Sequence, residues 1–543
     1  MAETNRHYTA DVIIIGGGLA GLVTAFELLD LNKSVLILER DTQEKLGGLA
    51  KDSFGGIMMV DTPLQRKNGI KDSPELALAD WHSYAKFQPG DAWPKLWAEH
   101  YVTRSRDIIH DWLAQRKVTF LPVVNWPERG LCKPGNSVPR WHIAWGTGYG
   151  IIEAILKDLY AHPRSKNLTI LFDHQVKGLD LTNGAVTGCH GVLEGTDKAF
   201  RAEAQAVVAA AGGMCGGDLS MVRENWYKPW GTAPRVLLNG SHPYADGTIH
   251  RSIQALGGNI THLDKQWHYA AGIRYPNADM KNKGLSLVPP RSALWMNALG
   301  ERIMGPLPLV SYTDTRYLVE QILKQPGQYS WQVMNWKIAI KELAVSGSEH
   351  MKAFRHRQKL KLVKDVLFGN TELVKRLIDE SEDFVVADNL DDLVVKMNRL
   401  DNEFKVDPDI LKSEIRTYDA CIDRGPAYHN DDQLRRIASF RTYRGDRIRM
   451  CKFQKIDDPK ARPLIAVRQF ILSRKSLGGA QTDLSCRVLD KNGQTIPGLY
   501  AAGETAGFGG GGIHGLGSLE GTFLGSCVLM GRIAAQAICN RKL

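Results

Sequence analysis

Val12-Ile13-Ile14-Ile15 is apolar and β-branched at every position, the pattern of a strand buried on both faces. Gly16-Gly17-Gly18-Leu19-Ala20-Gly21 follows without a break. The period then becomes helical: Leu22, Val23, Ala25, Phe26, Leu28 and Leu29 are apolar, with Glu27 and Asp30 outside. Ser34-Val35-Leu36-Ile37-Leu38 reads as a second strand and ends at Glu39. Strand, glycine turn, helix and strand make one βαβ unit. Farther on, Ala206–Gly213 reads as an apolar strand running out into small residues, after a hairpin turning at Asn183-Gly184. Gly498–Glu504 is a third strand closed by glycine, and a helix is predicted from about Gly521 to Ala537. Between about Thr232 and Pro463 the pattern differs: helical segments fall around Glu320, Leu360 and Asp391, with few strand-to-glycine turns. The predicted class is α/β, with residues 1–231 and 464–543 forming one domain interrupted by 232–463.

Composition narrows the class. Of 543 residues, 43 % are hydrophobic and 24 % charged, which excludes a disordered chain, a collagen and a coiled coil. No run reaches the roughly 18 apolar residues of a membrane span. The polar start leads directly into a strand, so no signal peptide is expected. Eight cysteines without a C-x-x-C pair predict free buried thiols in a reducing, cytoplasmic setting, and neither a zinc knuckle nor a dithiol centre. Arg541-Lys542-Leu543 only loosely echoes a peroxisomal address. The net charge of +10 is spread along the chain, which fits solubility and attraction of anionic ligands better than nucleic acid.

The first glycine motif carries chemistry because each position has a task. Gly16 allows the tight turn, Gly18 lets backbone approach a pyrophosphate, and Gly21 lets helix and strand pack closely. The helix N-terminus offers N–H groups to phosphate. Glu39 is placed to accept hydrogen bonds from a ribose. This much does not separate FAD from NAD. Leu46–Gly56 follows, with two Gly-Gly pairs that suit backbone wrapped round a ligand. The Gly507–Gly515 run lies near the end. An extended ligand needs several such loops; a nicotinamide cofactor needs only the first.

These segments resemble the flavoprotein superfamily of soluble fumarate reductases, succinate dehydrogenase flavoprotein subunits and 3-ketosteroid dehydrogenases, and within it a branch of FAD-binding dehydrogenases. The resemblance covers nearly the whole chain. It implies a Rossmann-like FAD-binding domain of glutathione-reductase type, an inserted α+β capping domain that closes over the flavin and excludes water, and FAD as cofactor. It implies that Gly16, Gly18, Leu19, Ala20, Gly21, Glu39 and Arg40 hold the ADP half. Gly47, Gly48, Leu49, Ala50, Gly55 and Gly56 would wrap pyrophosphate and isoalloxazine. Val176, Ala211, Gly212, Gly503, Glu504, Gly515, Ser518 and Leu519 would complete the cofactor site. The last helix would aim its N-terminus at the flavin and favour its anionic reduced form.

For the chemistry, Thr313-Asp314-Thr315-Arg316-Tyr317 resembles the segment that carries the proton-donating Arg of fumarate reductases, which makes Arg316 the leading catalytic candidate. Guanidinium is almost never deprotonated in proteins, so in the oxidising direction Tyr312, Tyr317 or His268 would serve better as base. His142, in Asn136–His142, is either a hydrogen bonder to flavin or substrate or a satisfied core histidine. Arg474-Lys475-Ser476-Leu477-Gly478-Gly479 matches a His-His-Thr-Met-Gly-Gly segment whose second His binds a substrate carboxylate. Arg474, Lys475, Gly478 and His514 are therefore substrate candidates. The Arg that clamps a second carboxylate falls on Ser518, so a dicarboxylate would be left with unpaired charge. Trp267, Trp295, Trp331 and Trp336 read as cap core or as an apolar lining.

The expected activity is hydride transfer between flavin N5 and a carbon next to an activating carbonyl, on a small-molecule ketone or enone larger than fumarate, steroid-like or polycyclic. The electron partner is left open. Two other classes are an oxygen-using hydroxylase or oxidase, for which no second strand-Gly-x-Gly-x-x-Gly-helix unit is visible, and a non-catalytic FAD-binding protein.

Overall fold

The computed structural model describes residues 6–129, 134–278, 280–311 and 313–543. Val12–Ile15 lies inside a six-stranded sheet ordered Arg487–Leu489, Thr495–Ala501, Ala206–Ala209, Val12–Ile15, Val35–Leu38, Leu168–Leu171. The last five strands run parallel and the first is antiparallel. Every residue of Val12–Ile15, Val35–Leu38 and Ala206–Ala209 is buried, hence the unbroken apolar runs. The helices Leu19–Asp30 and Thr522–Ile538 pack on each other, and Gly531 permits it: a Cβ there would lie 2.7 Å from the Ala20 carbonyl oxygen. The predicted final helix is thus present, opening after Gly521.

A second sheet is ordered Arg6–Thr9, Ala199–Glu203, Ala185–Leu193, His174–Thr182. Its hairpin turns at Asn183 (φ 52°) and Gly184 (φ 79°), the left-handed pair that a two-residue connection needs.

By packing, the chain divides into Met1–Lys228, Ser241–Trp267 and Arg474–Leu543 as one unit, and Pro229–Gly240 and His268–Ser473 as the other. A single insertion over 232–463 therefore misses a return. Ser241–Trp267 rejoins the first unit, where the helix Thr248–Ala255 lies on the strand His174–Thr182 and Ile260–Thr261 pairs with Gly479–Ala480. That helix buries Ile249, His250 and Ile253. Such a short amphipathic pattern is the same whichever core it covers.

In the second unit a sheet is ordered Leu294–Met296, Tyr329–Asn335, Leu464–Ser476, Gln266–Arg274, Gly284–Val288, Ala344–Val345. Trp295 and Trp331 are core in it. The helices Leu390–Arg399, Pro408–Asp423 and Asp432–Phe440 each begin at an acceptor side chain, Asn389, Asp407 and Asp431, that takes up free N–H groups of the first turn. Among the described residues no helix is long and apolar enough to cross a membrane, and no cluster of His, Cys, Asp and Glu is built to hold a metal.

Candidate active site

Bare backbone from distant parts of the first unit meets at the N-terminus of Leu19–Asp30. The Gly47 N–H donates to the Gly17 carbonyl at 3.0 Å, and Gly18 bridges to Gly47, so the 47–50 loop lies along the first glycine turn. Gly16 and Gly21 serve protein packing: a Cβ would fall 2.4 Å from the Ala210 carbonyl oxygen at the first and 2.1 Å from the Gly16 oxygen at the second. Gly18 differs. A Cβ there would meet nothing within 4 Å; at Gly48 it would meet only the Gly18 Cα at 3.5 Å, and at Gly212 only the Ala245 Cβ at 3.9 Å. Gly503 arrives from the far end of the chain, its absent Cβ 3.0 Å from that of Ala20. No side chain caps the helix that starts at Leu19, so its first N–H groups remain for an anion.

Glu39 sits beside this groove. One carboxylate oxygen accepts from the Gly17 N–H at 2.6 Å and the other from the Asp41 N–H at 2.8 Å. Each oxygen keeps a second acceptor site for a hydroxyl. His514 adds an unsatisfied group. It is fully buried, stacked on Trp81 at 5.8 Å, with Nε2 2.7 Å from the Thr522 hydroxyl and Nδ1 without a hydrogen-bond partner among the described residues. Burial, then the nearby Lys475 charge, hold its pKa well below the usual histidine value. A neutral buried ring nitrogen lacking a partner, and glycines whose missing side chains leave open space, fit a long polar cofactor such as FAD.

Several expected contacts resolve otherwise. A Cβ on Gly55 would strike the Thr147 carbonyl carbon at 2.4 Å, on Gly56 the Trp141 ring at 2.0 Å, on Gly478 the His262 carbonyl carbon at 2.2 Å and on Gly515 the Ala85 oxygen at 2.3 Å. At these four, neighbouring chain alone is enough to exclude a side chain, so their being glycine does not by itself mark a ligand. Arg40 is held by Glu194 at 2.7 Å and Asp246 at 2.8 Å, so its charge is neutralised within the protein. Leu49 and Ala50 form a short helical turn beside Gly48, Ala211 precedes Gly212, and Val176 is buried opposite Gly191 in the second sheet. Ser518 is buried 2.9 Å from the Thr522 hydroxyl, next to buried Leu519.

His142 is a satisfied core residue. Nδ1 lies 2.7 Å from the Arg140 carbonyl and Nε2 2.8 Å from the Thr62 hydroxyl, and burial lowers its pKa to about 4. Both nitrogens are used, so of its two expected readings, catalytic-site hydrogen bonder or core residue, the geometry favours the second. Its neighbour Arg140, fully buried, braces the segment: it donates to Asp72 at 2.9 and 3.0 Å, to Asp80 at 2.6 Å and to Asn136 at 3.0 Å. Removing one partner from such a buried network costs about 3–5 kcal/mol.

Arg474 and Lys475 end a long strand, both half-buried. Lys475 Nζ lies 3.9 Å from the centre of the Phe523 ring. Burial lowers its pKa to about 8, against the opposing pull of Glu520 and Glu504. Glu504 accepts from the Ser476 N–H at 2.9 Å and is pushed up by burial. Glu520 accepts from Trp267 Nε1 at 3.1 Å. Glu520 and Phe523 were not foreseen as site residues, and Trp267 was expected only as cap core or apolar lining. The one sequence signal was an acid placed immediately before the final helix.

In the second unit, Arg316 and His268 fall in one cluster. Arg316 pairs with Glu320 at 3.0 Å and lies over the Trp230 ring at 4.5 Å; Trp230 Nε1 also donates to Glu320 at 3.2 Å. The His268 ring is 6.0 Å from that of Trp230, and burial, then Arg316, lower its pKa to about 3. Tyr317 is otherwise engaged. Its hydroxyl donates to the Leu307 carbonyl at 2.7 Å and accepts from the Leu307 N–H at 3.0 Å, so it is a loop clamp rather than a base. Tyr312 lies outside the described residues.

Comparisons with known proteins agree with this geometry. A family model described as FAD binding domain matches residues 11–524. A KsdD-like steroid dehydrogenase of Mycobacterium tuberculosis is 41 % identical over 97 % of this chain and 95 % of its own length. A fumarate reductase of Schizosaccharomyces pombe is 26 % identical over 98 % of this chain and 90 % of its own. The solved 3-ketosteroid delta1-dehydrogenase of Sterolibacterium denitrificans shares the fold, with a TM-score of 0.70 at 16 % identity, covering 98 % of this chain and all of that one. With its glycine-lined groove and a match over nearly its whole length, the chain belongs to the FAD binding domain family.

Proposed function

We propose that the protein removes two vicinal hydrogens next to the carbonyl of a steroid-like ketone, or adds them in reverse, with FAD as hydride carrier. The observation that carries this reading is the 41 % identity to a KsdD-like steroid dehydrogenase, over 97 % of the chain. Bound in the groove, FAD supplies a two-electron acceptor at its flavin N5. Gly18, Gly48 and Gly212 offer it bare backbone, the first N–H groups of Leu19–Asp30 bind its phosphates, and Glu39 accepts from its ribose.

Lys475 is the substrate-facing cation in this reading. Loss of a proton next to a ketone leaves charge on the carbonyl oxygen, and a half-buried ammonium stabilises that charge where water is scarce. Ser518 offers no second positive group, so a neutral ketone suits the site better than a dianion. On the second unit, Arg316 is the proton-transfer candidate. Glu320 and Trp230 fix its guanidinium, and Glu320 gives the proton a route to and from it. His268 lies in the same cluster, and burial with the Arg316 charge keeps its ring neutral. Seven free cysteines among the described residues support a reducing, cytoplasmic setting.

Anaerobic mixing tests the reaction. A saturated 3-ketosteroid is expected to bleach the visible flavin band of the holoprotein, and a steroid enone to restore it after photoreduction. Response to succinate or fumarate alone, or an oxygen-dependent hydroxylated product, would overturn the reading. Arg316→Ala is expected to keep its flavin and lose at least about a hundredfold in turnover; unchanged turnover removes that assignment.

A further inference from the structure

The helix Lys359–Phe368 of the second unit, ten residues long, buries none of them. Leu360 is 89 % exposed, Val363 55 %, Leu367 61 % and Phe368 74 %. Spaced i, i+3, i+7 and i+8, they form one stripe. An isolated helix this short is marginal in water, and a contiguous stripe of large apolar side chains marks a contact surface.

The charge around the stripe is one-sided. Lys359, Lys361 and Lys364 lie on the helix, and Lys352, Arg355 and Arg357 precede it; the only acid from 352 to 368 is Asp365. Asp365 lines a cavity on the inner side of the helix with Leu362 and Arg449, so it does not face outward with the stripe. Glu372 reaches Lys361 from the next helix at 2.6 Å. Arg449 joins the cavity to a second basic stretch, where Arg444 and Arg447 are exposed and Ile448 is 48 % exposed.

We propose that this face docks the protein on an anionic lipid surface, with the helix Lys359–Phe368 lying in the plane of the interface. Leu360, Val363, Leu367 and Phe368 enter the acyl boundary while the flanking cations meet lipid phosphates. Lys364, within the stripe, lays its methylene stem along the chains and lifts its ammonium to the headgroups. Each cation near such a surface adds to the attraction, and salt weakens it. A second copy fits less well: a two-fold contact through this stripe sets Lys359 and Lys364 of one chain against the same cations of the other, and the neighbouring exposed acid, Glu372, is already paired with Lys361. The inference stands on the helix alone, not on the substrate proposed above.

Co-sedimentation of the full-length holoprotein with vesicles tests it. Vesicles of phosphatidylcholine with one third phosphatidylglycerol are expected to bind it at least about tenfold more tightly than phosphatidylcholine alone, with binding weakened by salt. The double variant Leu360→Glu, Phe368→Glu is expected to lose at least about tenfold in partitioning, with its flavin band and far-UV circular dichroism unchanged. Lys359→Gln with Lys364→Gln, which alters only exposed groups, is expected to weaken binding to the anionic vesicles alone. Absence of vesicle binding by the wild type, or binding indifferent to both variants, overturns the proposal. So does a wild-type dimer that Leu360→Glu converts to a monomer.

Discussion

Replacing Gly18 with valine is expected to give a folded protein that carries no flavin. At most glycines a branched side chain tests the fold. At Gly18 it tests the ligand, because a Cβ there meets no protein atom within 4 Å and the backbone φ of −72° accepts any L residue. The new methyl groups occupy the space in which phosphates meet the helix start. FAD affinity should fall at least about a hundredfold, some 3 kcal/mol. Visible absorption and flavin released on denaturation read the loss, and far-UV circular dichroism with a urea titration reads the fold. Gly21→Val is the contrast: its side chain strikes the Gly16 carbonyl oxygen at 2.1 Å and should lower stability itself. A yellow Gly18→Val protein would overturn the placement of the cofactor.

Lys475→Met is expected to retain FAD and lose at least about a hundredfold in kcat/KM, because the thioether keeps the contact with Phe523 but offers no charge to the substrate oxygen. The pH dependence has a definite sign. Burial disfavours the ammonium, so its pKa falls to about 8, with the charged form below that pH and the neutral form above it. If the charge is what the reaction uses, kcat/KM declines as pH rises through that value. Lys475→Arg stays charged throughout and should lose the alkaline decline. A wild-type profile flat across this range, or the same decline in Lys475→Arg, would remove Lys475 from the chemistry.

The opening βαβ unit was legible because three independent signals coincide: an unbroken apolar strand, a turn of glycines, and an acid at the end of the next strand. What each later glycine does was not legible. Gly48 and Gly56 look alike in the sequence, yet one leaves open space and the other admits the Trp141 ring. Absence of a side chain is the same signal whether a ligand or another stretch of chain comes close, and only the fold tells them apart. The Gly507–Gly515 run makes the same point, being buried throughout and pressed against Trp97, His262 and Ala85. Tyr317 read as a base candidate and His142 as a hydrogen bonder to flavin or substrate or a core residue, since their chemistry is visible in the sequence and their partners, the Leu307 backbone and Thr62, are not. That Lys475 and Glu504, both candidates, share a cluster with Glu520 stayed hidden for a related reason. Trp267, Glu504 and Glu520 are far apart in the chain, and nothing local marks them as neighbours.

The groove is closed by the contact of Gly503 with Ala20 and by the packing of Thr522–Ile538 on Leu19–Asp30. A ribosome delivers the two sides of that contact at opposite ends of its work. Domains that fold as they emerge do so from segments already made, but here the nascent first half has no finished pocket to offer. Loading with the yellow coenzyme is therefore expected to follow translation, and a chain that stops before Gly503 is expected to be isolated colourless.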